Sequence, residues 1–158
     1  MRPALEVEDL TFGFHPGQPV LRGVSFCVWE GECLGIIGAN GAGKSTLLWC
    51  LLGLLREQGG VRIFGEKARK NHWGRIGFVF QNPEDQLFMP KLIEDITLPL
   101  VNRGVPAGVA RERALAALET MGLREAALRP AGELSLGQRK RAAIAAALAP
   151  SPDLLILD

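Results

Sequence analysis

The sequence predicts an α/β fold: an N-terminal, mainly antiparallel β portion, a core built on buried strands, and a helical insert. Three observations carry this. Residues 33–37 (Cys-Leu-Gly-Ile-Ile) and 153–158 (Asp-Leu-Leu-Ile-Leu-Asp) contain continuous apolar runs, the composition of strands covered on both faces. A glycine-rich turn leads directly from the first run into a helical pattern. From Pro106, apolar residues recur at three- and four-residue spacing.

Taken in order, Leu5-Glu6-Val7-Glu8 alternates, residues 11–14 are β-prone, and residues 20–28 are rich in apolar and β-branched residues between Gly and Pro punctuation. These predict the antiparallel β portion. Residues 44–55 read as a helix after the glycine-rich turn. Residues 61–64 and 76–80 are short β-type runs flanked by Gly, with a polar, basic stretch between them, and the second delivers Gln81 at its end. Ala110, Ala114, Ala117, Leu118 and Met121 then define a helical face, with Gly122 placed where a helix stops. Residues 83–148 read as the helical insert, and Pro150-Ser151-Pro152 breaks the chain before the last strand.

Bulk properties narrow the function classes. The 158 residues suffice for one sizeable core, and 47% apolar with 22% charged residues is the balance of a packed globular domain. Eighteen Lys and Arg against seventeen Asp and Glu leave a charge of +1, which gives no footprint for nucleic acid. The basic triplet Arg139-Lys140-Arg141 is read as a solvated face. Acidic residues within the first nine positions interrupt what a secretory signal needs, so the start reads as a mature cytoplasmic one. No apolar run approaches the roughly 20 residues of a membrane-spanning helix, so membrane contact is expected only through a partner. Cys27, Cys33 and Cys50 lack metal-site or disulfide spacing and are expected to be buried thiols. His15 and His72 are expected at the surface.

The strongest chemical motif is Gly38-Ala39-Asn40-Gly41-Ala42-Gly43-Lys44-Ser45, which fits G-x-x-x-x-G-K-[ST] between an apolar strand and a helix. Its glycines let backbone N–H groups and the positive helix end face phosphates. Lys44 supplies a point charge for the β- and γ-phosphates, the Ser45 hydroxyl an oxygen ligand for Mg²⁺, and Thr46 a further phosphate contact. Asp158, ending an apolar strand, suits a carboxylate that holds Mg²⁺ through water.

Leu134-Ser135-Leu136-Gly137-Gln138 resembles the LSGGQ signature of ABC ATPases and opens a helix running to Leu148. Residues 80–88 (Phe-Gln-Asn-Pro-Glu-Asp-Gln-Leu-Phe) resemble the Q-loop of the energy-coupling-factor and cobalt-type importer ATPases. The resemblance covers essentially the whole chain in the family's motif order. It implies a P-loop NTPase with a RecA-like core, one ABC ATP-binding domain over 1–158 that is C-terminally incomplete, and a helical signature subdomain at 83–148. It implies that Phe14 stacks on adenine, that Gln81 approaches Mg²⁺ and the attacking water, and that Asp158 is the Walker B carboxylate. It further implies that Ser135, Leu136, Gly137 and Gln138 face the ATP of a partner domain.

ATP and Mg²⁺ are the implied cofactors. A second ABC ATPase domain, as homo- or heterodimer, and a transmembrane coupling subunit are the implied partners, and the cytoplasmic face of the membrane the implied location. Three departures stand out. Leu136 replaces the usual first Gly of the signature, and Phe14 replaces the more usual Tyr. The catalytic Glu, the D-loop and the switch His that follow the Walker B Asp in the family lie outside these residues, so binding with poor hydrolysis is expected. The expected function is the ATPase of a metal-ion or vitamin importer. A ribosome- or DNA-directed ABC ATPase, or a fragment that only binds nucleotide, stays open as an alternative.

Overall fold

The computed structural model describes residues 2–56, 58–68 and 70–158, without the side chains of Lys70 and Asn71. Part of the polar, basic stretch before residue 76, including Arg69, therefore lies outside the described residues. The chain divides into two compact units, Met1–Trp73 and Gly74–Asp158.

The first unit is built on a four-stranded sheet in the order β2-β1-β3-β4: β1 (Pro3–Phe12), β2 (Leu21–Trp29), β3 (Gln58–Ile63) and β4 (Glu66–Lys67), paired antiparallel throughout. In β1 the alternation buries Leu5 and Val7 and leaves Glu6 and Glu8 more exposed. The phase then slips by one residue at Asp9, which takes φ 48° and donates its N–H to Ser25 Oγ, so that Leu10 is fully buried. The register shift between Val7 and Leu10 is the β-bulge that re-aims the strand.

Helix α1 (Lys44–Leu51) is a turn shorter than the apolar pattern over 44–55 predicts. Gly53 sits at φ 66° just past the helix, its N–H donates to Cys50 O, and Leu54 N–H donates to Trp49 O. That pair of bonds is a Schellman motif, and glycine meets its left-handed position without a Cβ penalty.

Residues 33–37 do not form the predicted covered strand. They join no ladder among the described residues, and Leu34, Ile36 and Ile37 are 45, 38 and 95% exposed. An apolar run becomes a strand only when a neighbour aligns on it, and the first unit supplies no such neighbour.

The second unit combines a two-stranded parallel sheet, β5 (Ile76–Val79) with β6 (Leu154–Leu157), and three helices. Helices α2 (Leu92–Val101), α3 (Ala107–Thr120) and α4 (Leu136–Leu148) share one core, in which Leu92, Ile96, Leu100, Ala110, Ala114, Leu118, Ala142 and Ala145 are essentially inaccessible. The alanines let the helices approach closely, while the leucines and isoleucines supply the apolar area, at about 1.5–3 kcal/mol per buried side chain.

β5 lies close against α4: Val79 clusters with Ala143 and Ala147, and a Cβ at Gly77 would lie 2.7 Å from Ala147 O. β6 departs from its predicted burial on both faces, because Ile156 is buried but Leu155 and Leu157 are 38 and 58% exposed. A two-stranded sheet with a helix packed on one side leaves its other side open.

Three side-chain expectations also change. Of the thiols only Cys50 is buried, since Cys27 is intermediate and Cys33 lies on the uncovered 33–37 segment. His72 is buried beside Glu66, with Nε2 to Oε2 at 3.3 Å, whereas His15 is exposed as expected. Arg139 is largely covered and ion-paired with Glu84, while Lys140 and Arg141 face solvent. For His72 and Arg139 a specific partner overrides what residue type alone implies, whereas Cys33 is exposed because its segment is uncovered.

Candidate functional site

In the first unit the phosphate loop forms where the extended segment turns into α1. Gly43 is the N-cap, at φ 93°, and a Cβ there would lie 2.9 Å from Val20 Cγ1 and 3.2 Å from Leu21 Cδ2. Both backbone and space therefore require glycine at position 43. A glycine cap has no side chain to satisfy first-turn N–H groups, and the first turn of α1 carries no acidic residue. The helix start is thus left as a positive end suited to an anion.

Lys44 reaches back across the loop, its Nζ donating to Gly38 O at 3.0 Å and to Ala39 O at 2.8 Å. Within the loop Ala42 N–H donates to Ala39 O, which tightens the turn through Asn40 and Gly41. Ser45 is half-buried and Thr46 buried in the first turn of α1. Backbone donors, an ammonium and a hydroxyl in one short stretch fit a polyphosphate with its magnesium ion.

Phe14 lies in the same unit. It follows β1 in a turn closed by Gln18 N–H to His15 O and by Val20 N–H to Phe12 O. Its ring is 56% exposed and stands edge-on to Phe12, with centroids 5.0 Å apart. The Val20 that closes this turn is the residue that abuts position 43, so the hairpin bearing Phe14 is seated on the phosphate loop. Sequence reading missed Val20 because its role is contact across space, which no motif spacing reveals.

In the second unit two candidate residues follow the same end of one sheet. β5 and β6 run parallel, with Val79 paired to Leu157, and Asp158 N–H donates to Val79 O at 3.0 Å. Gln81 follows β5 by two residues and Asp158 follows β6 by one, so both emerge from the carboxyl ends of the strands. Ligands of open parallel sheets bind at that end. Gln81 is exposed and Asp158 partly so.

The signature segment starts α4. Ser135 is its N-cap: Ser135 Oγ accepts from Gln138 N–H at 3.3 Å, and Gln138 Oε1 accepts from Ser135 N–H at 2.9 Å, a complete capping box. Gly137 has open space where a Cβ would be, and Leu136 is 57% exposed, so the leucine bulk stands at the surface of the helix start. The ion pair of Arg139 with Glu84 ties this first turn to the Pro83–Asp85 3₁₀ turn after Gln81.

Asp95, in the first turn of α2, was not singled out from the sequence. It is 5% exposed, and its Oδ1 accepts from both Phe88 N–H and Met89 N–H at 2.9 Å. Burial pushes its carboxyl above the usual range, opposed by those two backbone bonds and aided by nearby Glu94. The signal available in sequence was an acidic residue in the first turn of a helix, but nothing there marks it as buried.

Residues 21–158 match the family model described as ABC transporter. The chain is 37% identical over 165 residues to the energy-coupling factor transporter ATP-binding protein EcfA of Methanosphaera stadtmanae, covering 100% of this chain and 59% of that protein. It is 40% identical over 161 residues to EcfA of Methanothermobacter thermautotrophicus, covering 98% of this chain and 52% of the relative. Among solved structures it is similar to CbiO1 of Clostridium perfringens, described as part of the ABC transporter complex CbiONQ. The TM-score is 0.87 at 33% identity, over 100% of this chain and 66% of that one. The chain thus spans little more than half the length of these two EcfA relatives.

Proposed function

The chain belongs to the ABC transporter family, in its energy-coupling-factor and cobalt-type ATPase group, and from that premise we propose that it is the ATP-binding part of an importer's motor subunit. The observation that carries this reading is the phosphate loop, with Lys44 Nζ held over the turn by Gly38 O and Ala39 O beside an uncapped helix start.

In this reading residues 38–46 bind the phosphates of Mg-ATP and exposed Phe14 stacks on the adenine. Gln81 and Asp158 serve the magnesium ion and the attacking water. When bound, Mg²⁺ neutralises charge on the phosphate oxygens, so the chain's own task is to position the phosphates and the attacking water. Ser135 to Gln138 present a second anion-binding helix start to the ATP of a like domain, which makes closure of the pair ATP-dependent. The partners are that second ATPase domain and a transmembrane coupling subunit at the cytoplasmic face of the membrane, and the cargo is a metal ion or a vitamin. We take residues 1–158 as part of one ABC domain, with 83–148 as its signature subdomain.

Positioned general bases contribute roughly 10²- to 10⁴-fold in rate. The family's glutamate base follows the position of Asp158, so the 158-residue polypeptide taken alone binds ATP and turns it over slowly. One experiment tests both parts. A domain completed past Asp158, with Glu at position 159, is expected to co-purify with a membrane protein and to release phosphate from ATP far faster than the 158-residue polypeptide. Recovery with ribosomes or DNA instead of a membrane partner would contradict the importer reading, and equal phosphate release would contradict the argument about the base.

A further inference from the structure

The loop that carries Gln81 is closed by a side chain. After the Pro83–Asp85 turn, Gln86 donates its backbone N–H to Pro83 O, and its carboxamide reaches two separate segments, the residue after β5 and the middle of α4. Oε1 accepts from Phe80 N–H at 3.3 Å, and Nε2 donates to Ala143 O at 2.9 Å. One partner only donates and the other only accepts, so the orientation of the amide is fixed. Glutamate keeps the acceptor and lacks the donor, while methionine matches the length and lacks both.

Ala143 is fully buried in the middle of α4, the helix that Ser135 caps. Two other features fasten α4 to the same segment: the Glu84–Arg139 ion pair, and the close approach of β5 to Ala147 at Gly77. We propose that Gln86 is a positioning residue, a strut joining the root of the Gln81 loop to α4 so that Gln81 and the signature helix start move as one body. This rests on the reading that Gln81 and Ser135 serve nucleotide, and it names the group that couples them. Withdrawal of Gln81 then requires either movement of α4 with it or release of the Gln86 carboxamide.

The test compares the 158-residue chain with Gln86→Met and Gln86→Glu by residue-resolved amide hydrogen exchange. Exchange of the Phe80 amide is expected to speed up roughly five- to tenfold in Gln86→Met, the worth of one ordinary hydrogen bond, and to stay close to wild type in Gln86→Glu. Amides of β1 and β3 report on global opening and are expected to be unchanged. Unaltered Phe80 exchange in Gln86→Met, with the same fold, overturns the strut.

The second readout is ATP affinity with and without Mg²⁺. The gain in affinity from Mg²⁺ is expected to shrink several-fold in Gln86→Met and less in Gln86→Glu, with Mg-free affinity unchanged. Equal losses with and without Mg²⁺ mean general damage and overturn the positioning role. A wild-type chain with no gain from Mg²⁺ would refute the nucleotide reading of Gln81, and the exchange experiment would then decide the strut alone.

Discussion

Asp95 holds the backbone at Phe88 and Met89 through one oxygen, while its Oδ2 is buried with no hydrogen-bond partner among the described residues. A carboxyl whose pKa is raised by folding binds protons more readily in the native state than in the unfolded chain. Its contribution to stability therefore falls as pH rises from the ordinary carboxylate value through the raised one, and is constant above that. In Asp95→Asn the acceptor for both N–H groups is kept and the titration is removed. Denaturant unfolding of both proteins across the acidic range is expected to show wild type gaining on the variant as pH falls through this window. A pH-independent difference would contradict the assignment. Asp95 illustrates what a sequence withholds at this scale: an acidic residue near a helix start is ordinarily solvated, and its burial depends on the loop that folds over it. Gly43 and Lys44 are the opposite case, because the phosphate-loop pattern names them and their required backbone and charge follow directly.

At the scale of elements, the start of α4 was legible because its cap is local. Ser135 and Gln138 are three residues apart, and that spacing alone specifies the capping box. Ser135→Ala is expected to cost about 1 kcal/mol of stability, measured by denaturant midpoint. A neutral substitution would mean that another acceptor satisfies the Gln138 N–H in place of Ser135 Oγ. The early end of α1 was also written locally, in Gly53, but the apolar run through Leu55 masks it. By contrast, the 33–37 segment and β6 are more exposed than their apolar composition predicts, since an apolar run states a preference for cover and not which element provides it. The same limit applies to Arg139, whose partner Glu84 lies 55 residues away.

Across the whole molecule, the class of fold and the order of its motifs were readable because each motif is a short segment with its own chemistry. What the sequence could not show are the links between segments: Val20 against Gly43, the Gln86 strut, and Glu84 with Arg139. These are pairings across the chain that only folding creates. ATP binding by this chain depends most on a phosphate site at residues 38–46 governed by Lys44. Equilibrium titration with Mg-ATP of the wild-type chain and Lys44→Ala tests it most directly. Loss of one charge-assisted contact is worth about 1.5–3 kcal/mol, so the variant is expected to bind roughly ten- to a hundredfold more weakly with its fold intact. Equal affinity in the two proteins would contradict the claim.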